Sequence, residues 1–241
     1  MIVAYDGSNY FGWQSQKDVV NIQDTIEEAL MMIHKKEVRI TGSGRTDRGV
    51  HAKGQVFHFD SDLNISEENW VRAMNANLPR DIRILKVEQV SEEFHARYDV
   101  VKKQYDYYLN TGSYDLFSRD YVTQLCTPLD LDRMNQAKKI FLGTHDFASF
   151  SANSFAEMED QVRTIEKIDI EKEKDVIHFT FVGDGFMRYM VRMLVGALVE
   201  VGKGKMSIEE LKGILEARDK NASRFKADSE GLYLSQVIYE K

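Results

Sequence analysis

Hydrophobic and polar positions along residues 1–100 predict strands and helices in the order β-α-β-β-α-β. A β-prone start, "MIVAYD", leads to an amphipathic helix that Asn21 can cap and whose apolar face holds Ile22, Ile26, Ala29, Leu30 and Ile33. "VRIT" and "QVFHFD" are predicted as the next two strands. A second helix follows, capped by Ser66 and stopped by Pro79, and "IRILKVEQV" closes this half as a strand.

The remaining residues, 101–241, repeat that order of elements with different residues. "KQYDYYLN" alternates as a strand, and "LDRMNQAKKIFLG" is predicted to be helical. "VRTIEKIDIEKE" and "DVIHFTFVGDG" predict a hairpin pair of strands. "FMRYMVRMLVGALVEVG" is apolar nearly all round, which predicts a buried helix. An amphipathic helix capped by Ser207 and the strand "GLYLSQVIYE" complete the half.

This element order predicts an α+β fold built from two ferredoxin-like (split βαβ) halves, residues 1–100 and 101–241. Exposed strand edges favour aggregation, so we expect the two sheets to be joined edge to edge. A cleft between the halves is then the expected place for a ligand.

Composition narrows the class of protein. The chain has 241 residues, 43% of them hydrophobic, and its only cysteine is Cys126. A single cysteine excludes a disulfide framework and a multi-cysteine zinc site, and suits a reducing compartment. No apolar run approaches the roughly eighteen residues of a membrane span, and the first residues lack the features of a signal peptide. We therefore expect a cytoplasmic protein without a membrane partner.

The formal net charge of −7 taken alone argues mildly against a nucleic-acid partner, because phosphate binding needs a positive field. The basic residues are nevertheless grouped apart from the acidic ones. Each basic group taken singly is most simply a solvated surface, and the sequence does not determine whether they converge. The groups are Lys102 and Lys103, Arg188 and Arg192, Lys203 and Lys205, and Arg218 to Lys226.

The stretch "GSGRTDRGVHA", residues 42–52, carries the densest chemistry in the chain. Its simplest interpretation is a tight turn in which glycines adopt positive φ angles and Asp47 bonds nearby amides. However, ionisable and hydroxyl side chains lie close together within it, namely Arg45, Thr46, Asp47, Arg48 and His51. That density favours a functional loop.

Other site types fit this stretch poorly. It has neither the spacing nor the Lys-Ser/Thr pair of a phosphate-binding loop. Asp47 and His51 would share a face only on a helix, which argues against a metal site there. Ser43 lacks a nearby base for nucleophilic catalysis. Asp47 remains as the reactive group, and a neighbouring arginine would favour its ionised form.

"GRTDRGVHA" resembles the signature of the TruA family of tRNA pseudouridine synthases, whose pattern is G-R-T-D-A-G-V-H-A. Six further blocks match that family in order: "YDGSNYFGWQ", "NANLPRDI", "FHARYDVVKKQYDY", "GTHDFASF", "MVRMLVGALVEVG" and "GLYLSQVIY". The resemblance covers nearly the whole chain. It implies a fold in which two split βαβ halves flank an RNA-binding cleft.

The resemblance implies that Asp47 is the catalytic aspartate, acting as the nucleophile. The reaction breaks the N1–C1′ bond of a uridine and rejoins the ribose to C5 of the base, so it implies no cofactor and no metal. Asp47 can attack C1′ or C6, or deprotonate C2′, and the sequence does not choose among these routes. Arg192 matches the basic residue that pairs with the aspartate, although Glu200 is an alternative partner for Arg192.

Several residues are implied to bind the substrate. Tyr105 matches the tyrosine that packs against the target base, with a plain strand aromatic as the alternative; for Tyr107 and Tyr108 that alternative is preferred. Arg45 matches an arginine that contacts RNA, or it pairs with Asp47 or another acid. Arg188, expected one turn before Arg192 on the same helical face, is a candidate phosphate contact. Further candidate backbone contacts are Lys102, Lys103, Arg97, Lys203 and Lys205.

Arg48 departs from the family pattern because it stands where alanine is usual. It can contact a phosphate or change which RNA is accepted. The resemblance implies isomerisation of uridine in the anticodon arm of tRNA by a homodimer. Two alternatives stay open: the same reaction on another RNA such as rRNA, and a non-catalytic RNA-binding protein on the same fold.

Overall fold

The computed structural model describes residues 1–153, 156 and 158–240. The chain divides into two compact units. The first unit holds Met1–Val101 together with the chain from Tyr233 onward, and the second holds Lys102–Leu232. The sequence predicted a single boundary near residue 100. The structure adds a second boundary near residue 232, because the last strand of the chain pairs with a strand of the first unit.

The first unit combines two helices with a mixed sheet. Its elements are β1 (Ile2–Tyr5), α1 (Ile22–His34), β2 (Thr41–Gly42), β3 (His51–His58), α2 (Glu67–Asn77), β4 (Ile82–Lys86) and the last strand of the chain, β10 (Leu232–Tyr239). The strand order is β4-β1-β3-β10. β1 is antiparallel to β3 and to β4, β10 runs parallel to β3, and the short β2 pairs antiparallel with β3.

Both helices of the first unit begin at the predicted caps. The Asn21 side chain accepts a hydrogen bond from the Asp24 amide, and the Ser66 side chain accepts one from Asn69. Each cap satisfies an amide that the first turn of a helix leaves unpaired. Along α1, the predicted apolar face is buried at Ile22, Ile26, Ala29 and Leu30, while Ile33 is half-buried.

The second unit packs three helices against an antiparallel sheet. Its elements are β5 (Val100–Asn110), β6 (Thr123–Gln124), α3 (Leu131–Ala137), β7 (Gly143–Asp146), β8 (Val162–Glu173), β9 (Val176–Gly183), α4 (Met190–Gly202) and α5 (Ile208–Ala217), with short 3-10 helices at Lys138–Phe141 and Ala148–Phe150. The order β5-β9-β8-β7 is antiparallel throughout, and β6 lies parallel to β5.

The core of the second unit follows the sequence pattern closely. Ile177, Phe179 and Phe181 are fully buried on one face of β9, as their alternation predicts. Twelve residues of α4 are buried, which confirms the prediction of a buried helix. α5 begins with a capping box in which Ser207 and Glu210 each bond the other's main-chain amide.

Several predicted boundaries were wrong, among them that of β3, which begins at His51 and not at Gln55. Only Thr41 of "VRIT" is in a strand, "IRILKVEQV" is a strand only as far as Lys86, and α3 gives way to a 3-10 turn after Ala137. α4 begins at Met190, four residues after the predicted start, because Tyr189 has a φ of 63°. A right-handed helix cannot continue through that left-handed conformation.

The predicted α+β class is confirmed by this mixture of helices and sheets. Among the described residues, none of the helices combines the length and the hydrophobicity that crossing a membrane requires.

Candidate active site

The stretch of residues 42–52, called the Asp47 loop below, is organised around a β-turn. The Asp47 carbonyl accepts a hydrogen bond from the Val50 amide at 3.1 Å. Gly49, at the third position of that turn, has a φ of 78°, a conformation that favours glycine. Asp47 is half-buried, whereas Arg45 and Arg48 are exposed. The turn interpretation therefore holds at Gly49, and the two arginines flank Asp47 at the surface.

Glycines of the opening segment, residues 5–14, allow that segment to lie directly on the Asp47 loop. A Cβ atom on Gly7 would collide with the Val50 carbonyl oxygen. A Cβ atom on Gly12 would come within 2.5 Å of the Thr46 carbonyl oxygen, and Gly12 also has a φ of 89°. Main chain thus packs against main chain on either side of Asp47, where no side chain has room.

Thr46, the residue before Asp47, is held from two directions. Its carbonyl oxygen accepts a hydrogen bond from the Trp13 amide at 3.1 Å. Its hydroxyl lies 2.8 Å from the hydroxyl of Tyr5. Burial raises the pKa of Tyr5 well above its usual value, so this tyrosine stays neutral and its hydroxyl proton remains available for the bond. Asp47 therefore follows a residue whose position is fixed.

The start of the Asp47 loop is fixed by a buried amide. The Ser43 hydroxyl donates to Gln55 Oε1, and Gln55 Nε2 donates to the Gly44 carbonyl at 2.9 Å. Ser43 and Gln55 are fully buried. A Cβ atom on Gly42 would also meet the Trp13 ring at 2.7 Å. Ser43 thus has a structural role, as the missing base near it in the sequence suggested.

His51, near the end of the Asp47 loop, is a buried residue that links the loop to the opening segment. It is 1% exposed, and its ring stacks on Tyr233 with centroids 4.7 Å apart. Its Nδ1 accepts a hydrogen bond from the Gly7 amide at 3.1 Å and lies 3.3 Å from Asp6 Oδ1. Among the described residues, no three His, Cys, Asp or Glu side chains are grouped as metal ligands. His51 therefore serves to seat the opening segment.

Arg48 lies over the ring of Phe11, with its Cζ 4.1 Å from the centroid. Such a cation–π contact at an exposed position contributes about 0.5–1 kcal/mol. The alternatives for Arg45, an RNA contact or an ion pair with Asp47 or another acid, stay predictions. Both arginine side chains are exposed.

Tyr105 lies on β5 in the second unit. It is 8% exposed, pairs across the ladder with Phe181, and meets the Phe186 ring edge-on at 5.2 Å between centroids. Successive residues of a strand point to opposite faces, so Lys103 shares the face of Tyr105 and Lys102 does not. Lys102 Nζ forms an ion pair with Glu166 at 2.8 Å. Of the two predicted lysines, Lys103 is therefore the one placed beside Tyr105.

Tyr107 and Tyr108 have structural contacts, in line with the interpretation preferred for them. The Tyr107 ring is fully buried, and its hydroxyl bonds Thr123 at 2.6 Å and the Asp228 carbonyl at 3.0 Å. Tyr108 stacks on His178 with centroids 4.6 Å apart and an interplanar angle of 7°. Both rings are thus engaged in the strand pairing around them.

Arg192 is a buried cation on the apolar helix α4, with 8% of its surface exposed. Its Nε donates to the Ala227 carbonyl at 2.8 Å, and the Ala227 amide donates back to the Arg192 carbonyl at 2.9 Å. Its predicted alternative partner, Glu200, pairs with Lys203 at 2.9 Å. Glu200 is therefore the partner of Lys203 and not of Arg192. The same ion pair makes Lys203 a weaker candidate for an RNA contact.

Arg188 does not lie on α4, so the expectation that it shares a helical face with Arg192 was wrong. It precedes the left-handed Tyr189, and its exposed guanidinium Cζ lies 4.9 Å from the Tyr189 ring centroid. Lys226 Nζ lies 4.4 Å from the same centroid, and Arg192 Cζ lies 5.3 Å from it. Tyr189 was not among the predicted site residues, and Lys226 was expected only as the end of the basic group Arg218 to Lys226. The other candidate contacts, Arg97 and Lys205, are exposed.

Comparison with known proteins identifies the family. A family model described as "tRNA pseudouridine synthase" matches residues 1–99 and 137–240. The chain belongs to the tRNA pseudouridine synthase family. Both matched segments contain predicted site residues, Asp47 in the first and Arg192 in the second, whereas Tyr105 lies between them.

Curated relatives extend the match over the whole chain. The chain is 44% identical over 241 residues to "tRNA pseudouridine synthase A" of Bacillus pumilus (strain SAFR-032), covering 99% of this chain and 97% of the relative. It is also 44% identical over 241 residues to the Exiguobacterium sp. (strain ATCC BAA-1283 / AT1b) protein of that name, covering 100% and 97%. It is 45% identical over 239 residues to "tRNA pseudouridine synthase A 1" of Bacillus cereus (strain ATCC 14579), covering 98% and 96%.

These matches confirm the predicted family and the predicted enzyme class, an isomerase that forms pseudouridine in tRNA. They give no support to the alternatives of an rRNA substrate or a non-catalytic RNA-binding protein.

Proposed function

We propose that this chain converts uridine to pseudouridine in the anticodon arm of tRNA, with Asp47 as the catalytic carboxylate. The observation that carries the proposal is the immobilised Asp47 loop. Thr46 is bonded to Tyr5 and Trp13, and the opening segment lies against Val50. Because the main chain around Asp47 is constrained, its carboxylate can be held in a reactive geometry, and the loop does not have to become ordered each time substrate binds.

The reaction is an isomerisation and balances without a co-reactant. The N1–C1′ bond breaks, the base turns, and a C1′–C5 bond forms while C5 loses a proton and N1 gains one. No electrons or groups enter from outside, so no cofactor and no metal are proposed. Asp47 attacks C1′ or C6, or removes the C2′ proton, and each route requires an ionised carboxylate.

Arg192 is proposed as the cation that keeps Asp47 ionised. Arg192 is a buried cation whose Nε donates to the Ala227 carbonyl, and its alternative partner Glu200 pairs with Lys203. An adjacent positive charge favours the ionised form of a carboxylate.

Tyr105 is proposed to hold the target base. A uridine in a stacked arm must leave the stack before its glycosidic bond can be reached. Stacking on an aromatic side chain recovers about 1–3 kcal/mol of the lost contact. Arg45, Arg48, Arg188 and Lys103 are proposed phosphate contacts, supported by the exposure of the first three and by the position of Lys103 on the face of Tyr105. Lys102 is a weaker candidate because it pairs with Glu166.

The assembly and the compartment are also proposals. We expect a homodimer in which the anticodon stem-loop contacts both copies, and a cytoplasmic location, which an exposed free Cys126 suits. Light scattering at micromolar protein tests the dimer, and a monomer mass would exclude it.

The test of the function uses product mapping. Purified protein is incubated with transcribed tRNAs, and pseudouridine is located by carbodiimide treatment and primer extension. We expect product confined to the anticodon arm. Product only at other positions of tRNA would reject the anticodon arm as the target. Total RNA from a strain that lacks the gene is mapped in the same way, and loss of pseudouridine from rRNA alone would reject tRNA as the substrate.

The same assay tests Asp47. Asp47→Asn should reduce turnover by on the order of 10⁴-fold or more, the scale seen when a nucleophile is removed, with tRNA affinity nearly unchanged. Asp62→Asn, the same chemical change at an exposed ion pair with Lys36, is the matched control and should retain turnover. Activity in Asp47→Asn would reject its catalytic role.

A further inference from the structure

Three cations surround one aromatic ring in the second unit. Lys226 Nζ, Arg188 Cζ and Arg192 Cζ lie 4.4, 4.9 and 5.3 Å from the centroid of Tyr189. A cation is attracted to the face of an aromatic ring. Cations grouped at one place also raise the local positive potential, which favours an anionic ligand.

Contacts with α4 determine where Lys226 lies. A Cβ atom on Gly196 would come within 2.9 Å of the main-chain nitrogen of Lys226, so the main chain at Lys226 lies directly on α4. The next residue, Ala227, exchanges two hydrogen bonds with Arg192. This pairing fixes Lys226 beside the start of α4, although Lys226 is remote from Tyr189 in sequence.

The conformation of Tyr189 presents its ring to the cations. A φ of 63° is strained for a bulky residue. The chain before it is tied down, because the Arg188 amide donates to Asn153 Oδ1 at 3.2 Å and the Ala152 amide donates to the Arg188 carbonyl at 3.0 Å. Strain that the surroundings maintain in this way is frequent where a ligand binds.

Arg188 and Lys226 differ from Arg192 in exposure. Both have exposed side chains, whereas Arg192 is buried. Among the residues that the structure describes, Lys226 takes part in no ion pair. A guanidinium fork beside an ammonium group suits the oxygens of a phosphate group. The two exposed cations and the Tyr189 ring between them are called the Tyr189 cluster below.

We propose that the Tyr189 cluster binds one phosphodiester group of the RNA substrate. The proposal rests on the proposed function, since that function brings RNA phosphates to the protein. It adds Tyr189 and Lys226 to the substrate-binding residues and gives Arg188 a defined ligand. Arg192 is not part of the site.

The test measures how tRNA affinity depends on salt. Each phosphate that a protein neutralises contributes about 0.7–0.9 to the slope of log K against log salt. Because Arg188 and Lys226 share one phosphate, the double variant Arg188→Ala/Lys226→Ala should lower the slope by about one phosphate and weaken binding several-fold. Binding is followed by fluorescence anisotropy of a labelled tRNA transcript.

Matched variants separate charge from packing. Lys226→Met keeps the aliphatic stem and should lose affinity, whereas Lys226→Arg keeps the charge and should retain it. Lys212→Ala removes an exposed lysine that pairs with Glu216 on α5, and should leave the slope unchanged. An unchanged slope in the double variant, or equal affinity of Lys226→Met and Lys226→Arg, would overturn the proposal.

Turnover of the unaltered protein is measured on the same tRNA. Pseudouridine formation with no change of slope in the double variant removes the phosphate site and leaves the proposed function standing. A lowered slope without any pseudouridine formation removes the proposed function and leaves the phosphate site.

Discussion

Gly7 lies against the carbonyl oxygen of Val50, so closely that a Cβ atom on Gly7 would overlap it. Val50 closes the turn that begins at Asp47, and the Gly7 amide donates to His51 Nδ1, one residue further on. The opening segment therefore acts as the support of the Asp47 loop. The geometry of Asp47 depends on a residue that carries no functional group.

Gly7→Ala should lower both stability and turnover. The added methyl group must push the opening segment away from the Asp47 loop, at a cost of about 1–3 kcal/mol for overpacking. Turnover should fall further than tRNA affinity does, because a displaced carboxylate affects the chemical step more than it affects phosphate contacts. Urea denaturation and single-turnover kinetics measure the two effects.

Gly213→Ala is the matched control for this change. Gly213 lies within α5, and a Cβ atom there meets nothing within 4 Å. Alanine in a helix interior is favoured over glycine by about 0.5–1 kcal/mol. The control should therefore be more stable and equally active. Normal turnover in Gly7→Ala would show that the opening segment does not position Asp47.

Local chemistry explains which elements the sequence predicted. The starts of α1, α2 and α5 depend on Asn21, Ser66 and Ser207, whose side chains bond amides three residues ahead. The β8–β9 hairpin follows from alternation along each strand. These signals are contained in a few adjacent residues and need no knowledge of the tertiary structure.

Features set by distant residues were not predictable. The start of α4 depends on the left-handed conformation of Tyr189. The residue before it, Arg188, is bonded through its main chain to Asn153 and Ala152. The need for glycine at position 7 depends on Val50, and the neighbourhood of Lys226 depends on Gly196. No spacing within the sequence encodes these pairs. In the same way, the family resemblance named Asp47 without indicating what holds it.

Removing the charge of Arg192 should change the pH dependence of turnover. If Arg192 keeps Asp47 ionised, Arg192→Met should move the acid limb of kcat/KM to higher pH by about one unit or more, because the carboxylate loses a favourable charge. Arg192→Lys retains the charge but loses the Nε–H bond to Ala227. It should show a smaller shift with reduced stability, since the carbonyl is left without that donor.

The pH profile of each variant is measured under single-turnover conditions, alongside its melting temperature. Lys203→Met, which removes the cation paired with Glu200, is the control and should leave the acid limb in place. An acid limb at the same pH in Arg192→Met and the unaltered protein would exclude the ionising role.

Tyr105 should act through its ring and not through its hydroxyl. Tyr105→Phe keeps the aromatic face and should retain kcat/KM within a few-fold. Tyr105→Leu loses base stacking of about 1–3 kcal/mol, which corresponds to roughly 5–150-fold in kcat/KM. Tyr108→Leu removes a ring on the opposite face of β5, where it stacks on His178, and serves as the control. Equal losses in the Tyr105→Leu and Tyr108→Leu variants would indicate a purely structural role for Tyr105.

His58 should make the stability of the first unit depend on pH. Burial, with a smaller contribution from the nearby His95, holds the pKa of His58 below its usual value, while Asp60 and Asp99 oppose that shift. Its Nδ1 accepts a hydrogen bond from the Ala96 amide at 3.1 Å, which requires the neutral ring.

A group whose pKa is lowered on folding contributes stability above its unfolded value, about 6.5, and that contribution is lost as the pH falls through the folded value. The melting temperature should therefore decline as the pH falls below the unfolded value of about 6.5. His58→Asn cannot titrate and should decline less steeply over the same range. Parallel curves for the two proteins would show that the bond to Ala96 does not depend on the neutral ring.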